Sequence, residues 1–124
     1  MVRMTSLKRG TALGLTAIVA ALLGCGPLPP EAVQQLQQGQ QHYKAGKYAE
    51  AVKVLDRFLA GWGATGAAAE AYYIRGQSYL KLDQPKRCRA DLERALTQCK
   101  RPDLCARIHV ALGSMDWEAG RTSS

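Results

Sequence analysis

The chain has 124 residues, room for one small domain. Apolar residues make up 47% of it and aromatic residues 6%. Alanine and leucine dominate, a balance that suits helices better than strands. The formal charge is +7, but Arg3, Lys8 and Arg9 supply part of it from an N-terminal leader, so the remainder is only mildly basic. That balance is a poor argument for nucleic-acid binding and a better one for proximity to anionic lipid.

After the basic leader comes an uncharged run from Gly10 to Gly24, "GTALGLTAIVAALLG". A membrane-spanning helix needs roughly 20 apolar residues, and the apolar part of a secretory signal roughly 7–15. The length therefore predicts an export signal over residues 1–24, with an uncleaved signal anchor as the alternative. Leu22-Leu23-Gly24-Cys25 then resembles the lipobox of bacterial lipoproteins. The resemblance implies cleavage before Cys25 and attachment of palmitate-type acyl chains there. Two or three such chains anchor almost permanently. Gly26 stands where enteric lipoproteins kept at the inner membrane carry Asp, which favours the outer membrane on the periplasmic side. Residues 25–30 hold three prolines and read as an extended tether.

Five helices are predicted from there to residue 120. The first, "EAVQQLQQGQQHYKAG", spaces Val33, Leu36 and Tyr43 helically and stops at Gly46. The second, "KYAEAVKVLDRFLAGWG", carries Tyr48, Val52, Leu55, Phe58 and Leu59 on one stripe and stops at Gly61 and Gly63. The third, "AAAEAYYIRGQSYLKL", offers Ala71, Ile74, Tyr79 and Leu82 to a core. Asp83 is the expected N-cap of the fourth, with Pro85 in its first turn. That helix, "QPKRCRADLERALTQC", carries Cys88, Leu92, Ala95 and Leu96. The fifth follows Pro102, and residues 121–124 read as a polar tail. No run alternates as a strand would.

The helices repeat. Gly39, Gly76 and Gly113 recur at a constant interval of about 37 residues, as do Tyr43, Leu80 and Trp117, and then Gly46, Asp83 and Gly120. A glycine inside a helix costs about 1 kcal/mol relative to alanine. Its expected compensation is close approach of a neighbouring helix. "LQQGQQHYKAGKYAEAVKVLDRFL", "AYYIRGQSYLKLDQPKRCRADLERAL" and "HVALGSMDWEAG" resemble the tetratricopeptide repeat (TPR), whose usual period is about 34. The resemblance implies an all-α solenoid of about two and a half helical hairpins over residues 31–120. The longer period implies longer turns at "GWGATG" and "CKRPDLC". The half repeat reads as a cap or as a helix awaiting a partner.

Cysteine pairing is constrained by reach. Cys88 and Cys99 share one helix and lie about 16 Å apart by its rise, too far for a bridge. Cys99 and Cys105 flank one turn, and a disulfide between them is expected in an oxidising compartment, with two reduced thiols as the alternative. Cys88 reads as a small buried residue; the competing reading is a thiol activated by Arg87, Arg89 and a helix N-terminus. His42 and His109 have no ligand or catalytic partner at useful spacing, so neither metal, cofactor nor catalytic residue is expected. The cations from Lys86 to Arg101 read as a solvated face, with an acidic lipid or protein surface as the alternative.

In the TPR family the first helix of each hairpin lines a concave groove. Matching glycines places Gln40, Tyr43 and Lys44 there from the first hairpin, and Tyr73, Gln77 and Lys81 from the second. The half repeat adds Arg107, Ser114 and Trp117. Aromatic area beside amides and cations suits an extended peptide or a partner helix. The expectation is a non-catalytic scaffold or adaptor for a protein partner. The alternatives are a module that self-associates through its last helix, and a groove that only packs.

Overall fold

The computed structural model describes residues 27–122, and these form five α-helices with no strand among them. They are α1 (Pro30–Lys44), α2 (Tyr48–Trp62), α3 (Ala68–Lys81), α4 (Pro85–Gln98) and α5 (Pro102–Thr122). Residues 1–24, Cys25 and Gly26 lie outside the described part. Three helices open on proline, where the missing N–H would have had no intrahelical partner. Leu28, in the stretch expected to be a bare tether, packs against the first core cluster. The last helix runs on through Arg121 instead of stopping at Gly120.

The two hairpin turns have the same chemistry. Gly46 sits at φ 76° after α1, and its N–H and that of Lys47 bond to the carbonyls of Tyr43 and His42. Asp83 sits at φ 60° after α3, and its N–H and that of Gln84 bond to those of Leu80 and Tyr79. Both are Schellman closures, which need a left-handed residue. Asp83 is therefore a C-terminal stop for α3 and not the expected N-cap of α4; Gln84 holds that position without a side-chain cap. A side chain in the left-handed region is strained where glycine is not. Asp83→Gly is expected to stabilise the domain by about 0.5–1 kcal/mol, read as a higher thermal midpoint. An unchanged or lower midpoint would contradict it.

The repeat interval reappears in the packing. Ala51, Leu55 and Phe58 on α2 are fully buried, and so are Cys88, Leu92 and Ala95, one interval later on α4. One cluster joins Ala32, Leu55, Phe58, Ala71 and Ile74; a second joins Ala69, Cys88, Leu92, Ala95, Leu104 and Ile108. Tyr73 packs against both. Gly39 and Gly76 sit where helices touch. A Cβ on Gly39 would lie 2.5 Å from Leu55 Cδ2, and one on Gly76 would lie 3.3 Å from the Cys88 carbonyl oxygen. At Gly113 such an atom would meet nothing within 4 Å. Close approach thus accounts for two of the three recurring glycines. Val33 and Leu82, expected in the core, are exposed: Ala32 takes the inward position on α1, and Leu82 is the C-cap residue just past the end of α3, whose Ile74 is buried as expected.

A charged node ties three helices together. Arg75 of α3 grips Asp91 of α4 with two hydrogen bonds of 2.8 Å, through Nε and one terminal nitrogen. Its other terminal nitrogen reaches Asp56 of α2, also at 2.8 Å. Asp91 is only 3% exposed. Burial works against the Arg75 charge, but hydrogen bonding to Asp91, its charge, and Asp56 outweigh it and raise the guanidinium pKa further. Tyr72 and Tyr79 flank this guanidinium, and Arg94 and Arg87 cover their rings in turn, so cations and rings alternate along α3 and α4.

Candidate functional site

α3 and α5 both pack on α4, and an open cleft of about 980 Å³ lies between them. Its floor is apolar. Leu80 stands on the α3 side, Leu92 on α4, and Val110, Ala111 and Met115 on α5. Polar groups stand on the walls. Gln77 comes from α3 and Ser114 from α5. The Ser114 hydroxyl donates to the Val110 carbonyl at 3.2 Å, which leaves its oxygen lone pairs for a donor in the cleft.

One end is closed by Tyr73 and Arg107, whose guanidinium lies 5.4 Å from the ring centroid. Arg107 also approaches Asp103 at 3.5 Å, one turn back on α5. Lys86 and Arg89 line the side formed by α4, where Arg89 pairs with Asp116 at 2.6 Å. Asp83 and Glu118 add negative charge. An apolar trough with mixed charges along its edges matches an amphipathic segment better than it matches a small anion.

Of the nine expected groove residues, this cleft unites Tyr73, Gln77, Arg107 and Ser114. The other five lie elsewhere. Gln40 donates to Glu70 at 2.9 Å, which binds α1 to α3. Tyr43 packs against the first core cluster and meets Tyr48 edge-on at 5.5 Å. Burial, then the neighbouring Tyr48 and Tyr73, raise its phenol pKa, so it stays neutral. Lys44 and Lys81 are exposed, and Trp117 lies 69% exposed on α5. Leu80, Val110 and Met115 were not among the expected residues. The repeat interval carried a signal for two of them, since Val110 stands one interval after Tyr73, and Leu80 one interval before Trp117.

The cysteines and histidines lie outside the cleft lining. Cys99 and Cys105 form a disulfide across the α4–α5 turn, with Cα atoms 5.7 Å apart. Cys88 is fully buried with its sulfur 3.7 Å from that of Met115. Burial, followed by the Asp91 charge, pushes its thiol up to about 11, against the smaller pull of Arg89. Such a thiol is inert at neutral pH. His42 is half-buried on α1, His109 is exposed on α5, and neither lines the cleft. Among the described residues no cluster of His, Cys, Asp and Glu is placed to hold a metal ion, and no helix is long and apolar enough to cross a membrane. The chain matches no protein-family model, no curated protein and no solved structure.

Proposed function

We propose that this chain is a TPR-like helical-hairpin lipoprotein of the bacterial envelope, anchored through Cys25, whose α3–α5 cleft holds a segment of a protein partner. The observation that carries the reading is the cleft itself, an apolar trough between two repeat-related helices with Tyr73, Gln77, Arg107 and Ser114 around it. The occupant is a short amphipathic helix or extended peptide: its apolar side chains lie over Leu80 and Met115, and its polar groups meet Gln77 and Ser114. The basic leader, the apolar run and Leu22-Leu23-Gly24-Cys25 support export and lipid attachment. A membrane tether then keeps the cleft near its partner and raises their effective concentration.

The test is photo-crosslinking in cells from Gln77 and from Ser114, with Lys53 on α2 as the control site. Both cleft sites are expected to capture the same protein, and Leu80→Asp should reduce that capture at least tenfold while leaving helical content intact. Leu80 is 40% exposed, so its substitution spares the core. Equal capture from Lys53, or capture indifferent to Leu80→Asp, would refute the cleft as the binding surface. Radiolabelled palmitate incorporation that persists in a Cys25→Ser chain would refute the anchor.

A further inference from the structure

In each of the first two hairpins, one face of the leading helix is covered by the helix that follows. Ala32 and Gly39 are buried on α1, and so are Ala69 and Gly76, one interval later on α3. The corresponding residues of α5 are Ala106 and Gly113, and both are exposed. Val110 between them is 71% exposed, and Trp117, one turn beyond Gly113, is 69% exposed. The steps from Ala106 to Val110, Gly113 and Trp117 alternate between four and three residues, the spacing of a helix-pairing seam. The opposite side of α5, at Leu104 and Ile108, is the one sunk in the core.

We propose that this seam is a homodimer interface, in which α5 packs antiparallel on α5 of a second copy with the two-fold axis beside Gly113. Charge selects both the occupant and the direction. With that axis, Arg107 comes opposite Glu118 of the second copy, Asp103 opposite its Arg121, and His109 opposite its Asp116. Symmetry makes every pairing twice. A parallel two-fold pairing instead turns the flank of Asp103, Arg107, Glu118 and Arg121 towards the flank of His109 and Asp116 of the second copy, where residues of opposite charge stand more than a turn apart, so none of these pairs forms. Antiparallel packing also lays Val110 on Trp117 of the second copy. Gly113 then meets its own symmetry mate, so the backbones approach closely, as they do at Gly39 and Gly76 within the chain. The polar flank residues already have neighbours within the chain, Arg107 with Asp103, Arg121 with Glu118 and Asp116 with Arg89 of α4. Their value across the interface is therefore register and direction, and the seam supplies the attraction. One helix pair of this length falls at the small end of specific interfaces, so the dimer is concentration-dependent. Arg107, Val110 and Glu118 also line the α3–α5 cleft, so this dimer and an occupant of the cleft compete for one wall, but the inference requires neither the cleft reading nor lipid attachment.

Sedimentation velocity of the purified full chain in detergent, carrying Cys25→Ser to remove a stray thiol, tests it. A monomer–dimer equilibrium in the micromolar range is expected, with Trp117→Glu raising the dissociation constant at least tenfold at unchanged helicity. Arg107→Glu should also weaken the dimer, and Arg107→Glu with Glu118→Arg should restore it, because the swap rebuilds the pair only when the helices are antiparallel. Gly113→Cys should crosslink to its twin on oxidation, and Lys53→Cys should not. A monomer across the range, a dimer indifferent to Trp117→Glu, or a charge swap that fails to recover affinity overturns the proposal. A dimer indifferent to Trp117→Glu would place association in the N-terminal apolar run instead.

Discussion

Asp91→Ala is expected to destabilise the domain by about 3 kcal/mol, read by urea denaturation with helical content as the probe. The magnitude follows from what the substitution leaves behind. Arg75 keeps its charge at any accessible pH, and its side chain is only 13% exposed. Without Asp91 it loses two short hydrogen bonds and the more buried of its two counter-charges. Removing one partner of a buried pair costs about 3–5 kcal/mol, and the surviving bond to Asp56, which is half exposed, argues for the lower end. Two further variants separate the pair from simple loss of volume. Asp91→Asn keeps the shape and some hydrogen bonding but loses the charge, and should cost less than alanine. Arg75→Met with Asp91→Leu removes both charges and should cost less than the sum of its single substitutions. A double variant that is additive within about 0.5 kcal/mol would show that the node contributes no coupling.

This node also marks where reading the sequence fails. One interval before Asp91 stands Val54, and one interval before Arg75 stands Gln38, so the pair breaks the repeat at both of its members. Periodicity has nothing to say about a residue that departs from it. Nothing in the sequence singles out Arg75, and Asp91 stands as one acid among the basic residues of α4. Only the tertiary crossing at Gly76, where a Cβ would come within 3.2 Å of the Asp91 Cβ, brings α3 and α4 close enough for the grip. The helices were legible because alanine, leucine and recurring glycine state their period directly, and proline marks where three of them start. The Asp83 turn was legible too, through Gly46 one interval earlier, but residue identity pointed to capping while position pointed to a left-handed stop. Position decided. The cleft was half legible for a related reason. Tyr73, Gln77, Arg107 and Ser114 follow from aligning α3 with α5, whereas Gln40 and Tyr43 belong to α1, whose polar and aromatic groups are already used against Glu70 and Tyr48.

Breaking the Cys99–Cys105 disulfide, by Cys99→Ser with Cys105→Ser or by reductant, is expected to cost about 2 kcal/mol. In the chain-entropy model that is the value for so small a loop, and for a domain of this size it corresponds to a thermal midpoint lower by about 10 °C. The effect should also be local, because α5 depends on few anchors. Leu104 and Ile108 are buried in the second cluster, Ala111, Leu112 and Met115 touch it in part, and Asp116 to Arg121 are exposed. The disulfide closes the loop that contains Leu104 and so fixes where that side chain enters the core. Arg101, inside the turn, reaches Glu70 on α3 at 3.6 Å, but both partners are partly solvated and that pair contributes little alone. Hydrogen exchange should therefore show α5 amides losing protection first after reduction, with α1 and α2 following only at global unfolding. Uniform loss across all five helices would mean that the bridge acts solely on the unfolded chain. The distinction bears on the cleft, whose second wall is α5: a reduced protein in which α5 opens early would lose crosslinking from Ser114 before it loses its fold. In that case a compartment that keeps the disulfide formed is a condition for a standing cleft, in keeping with the export proposed for this chain.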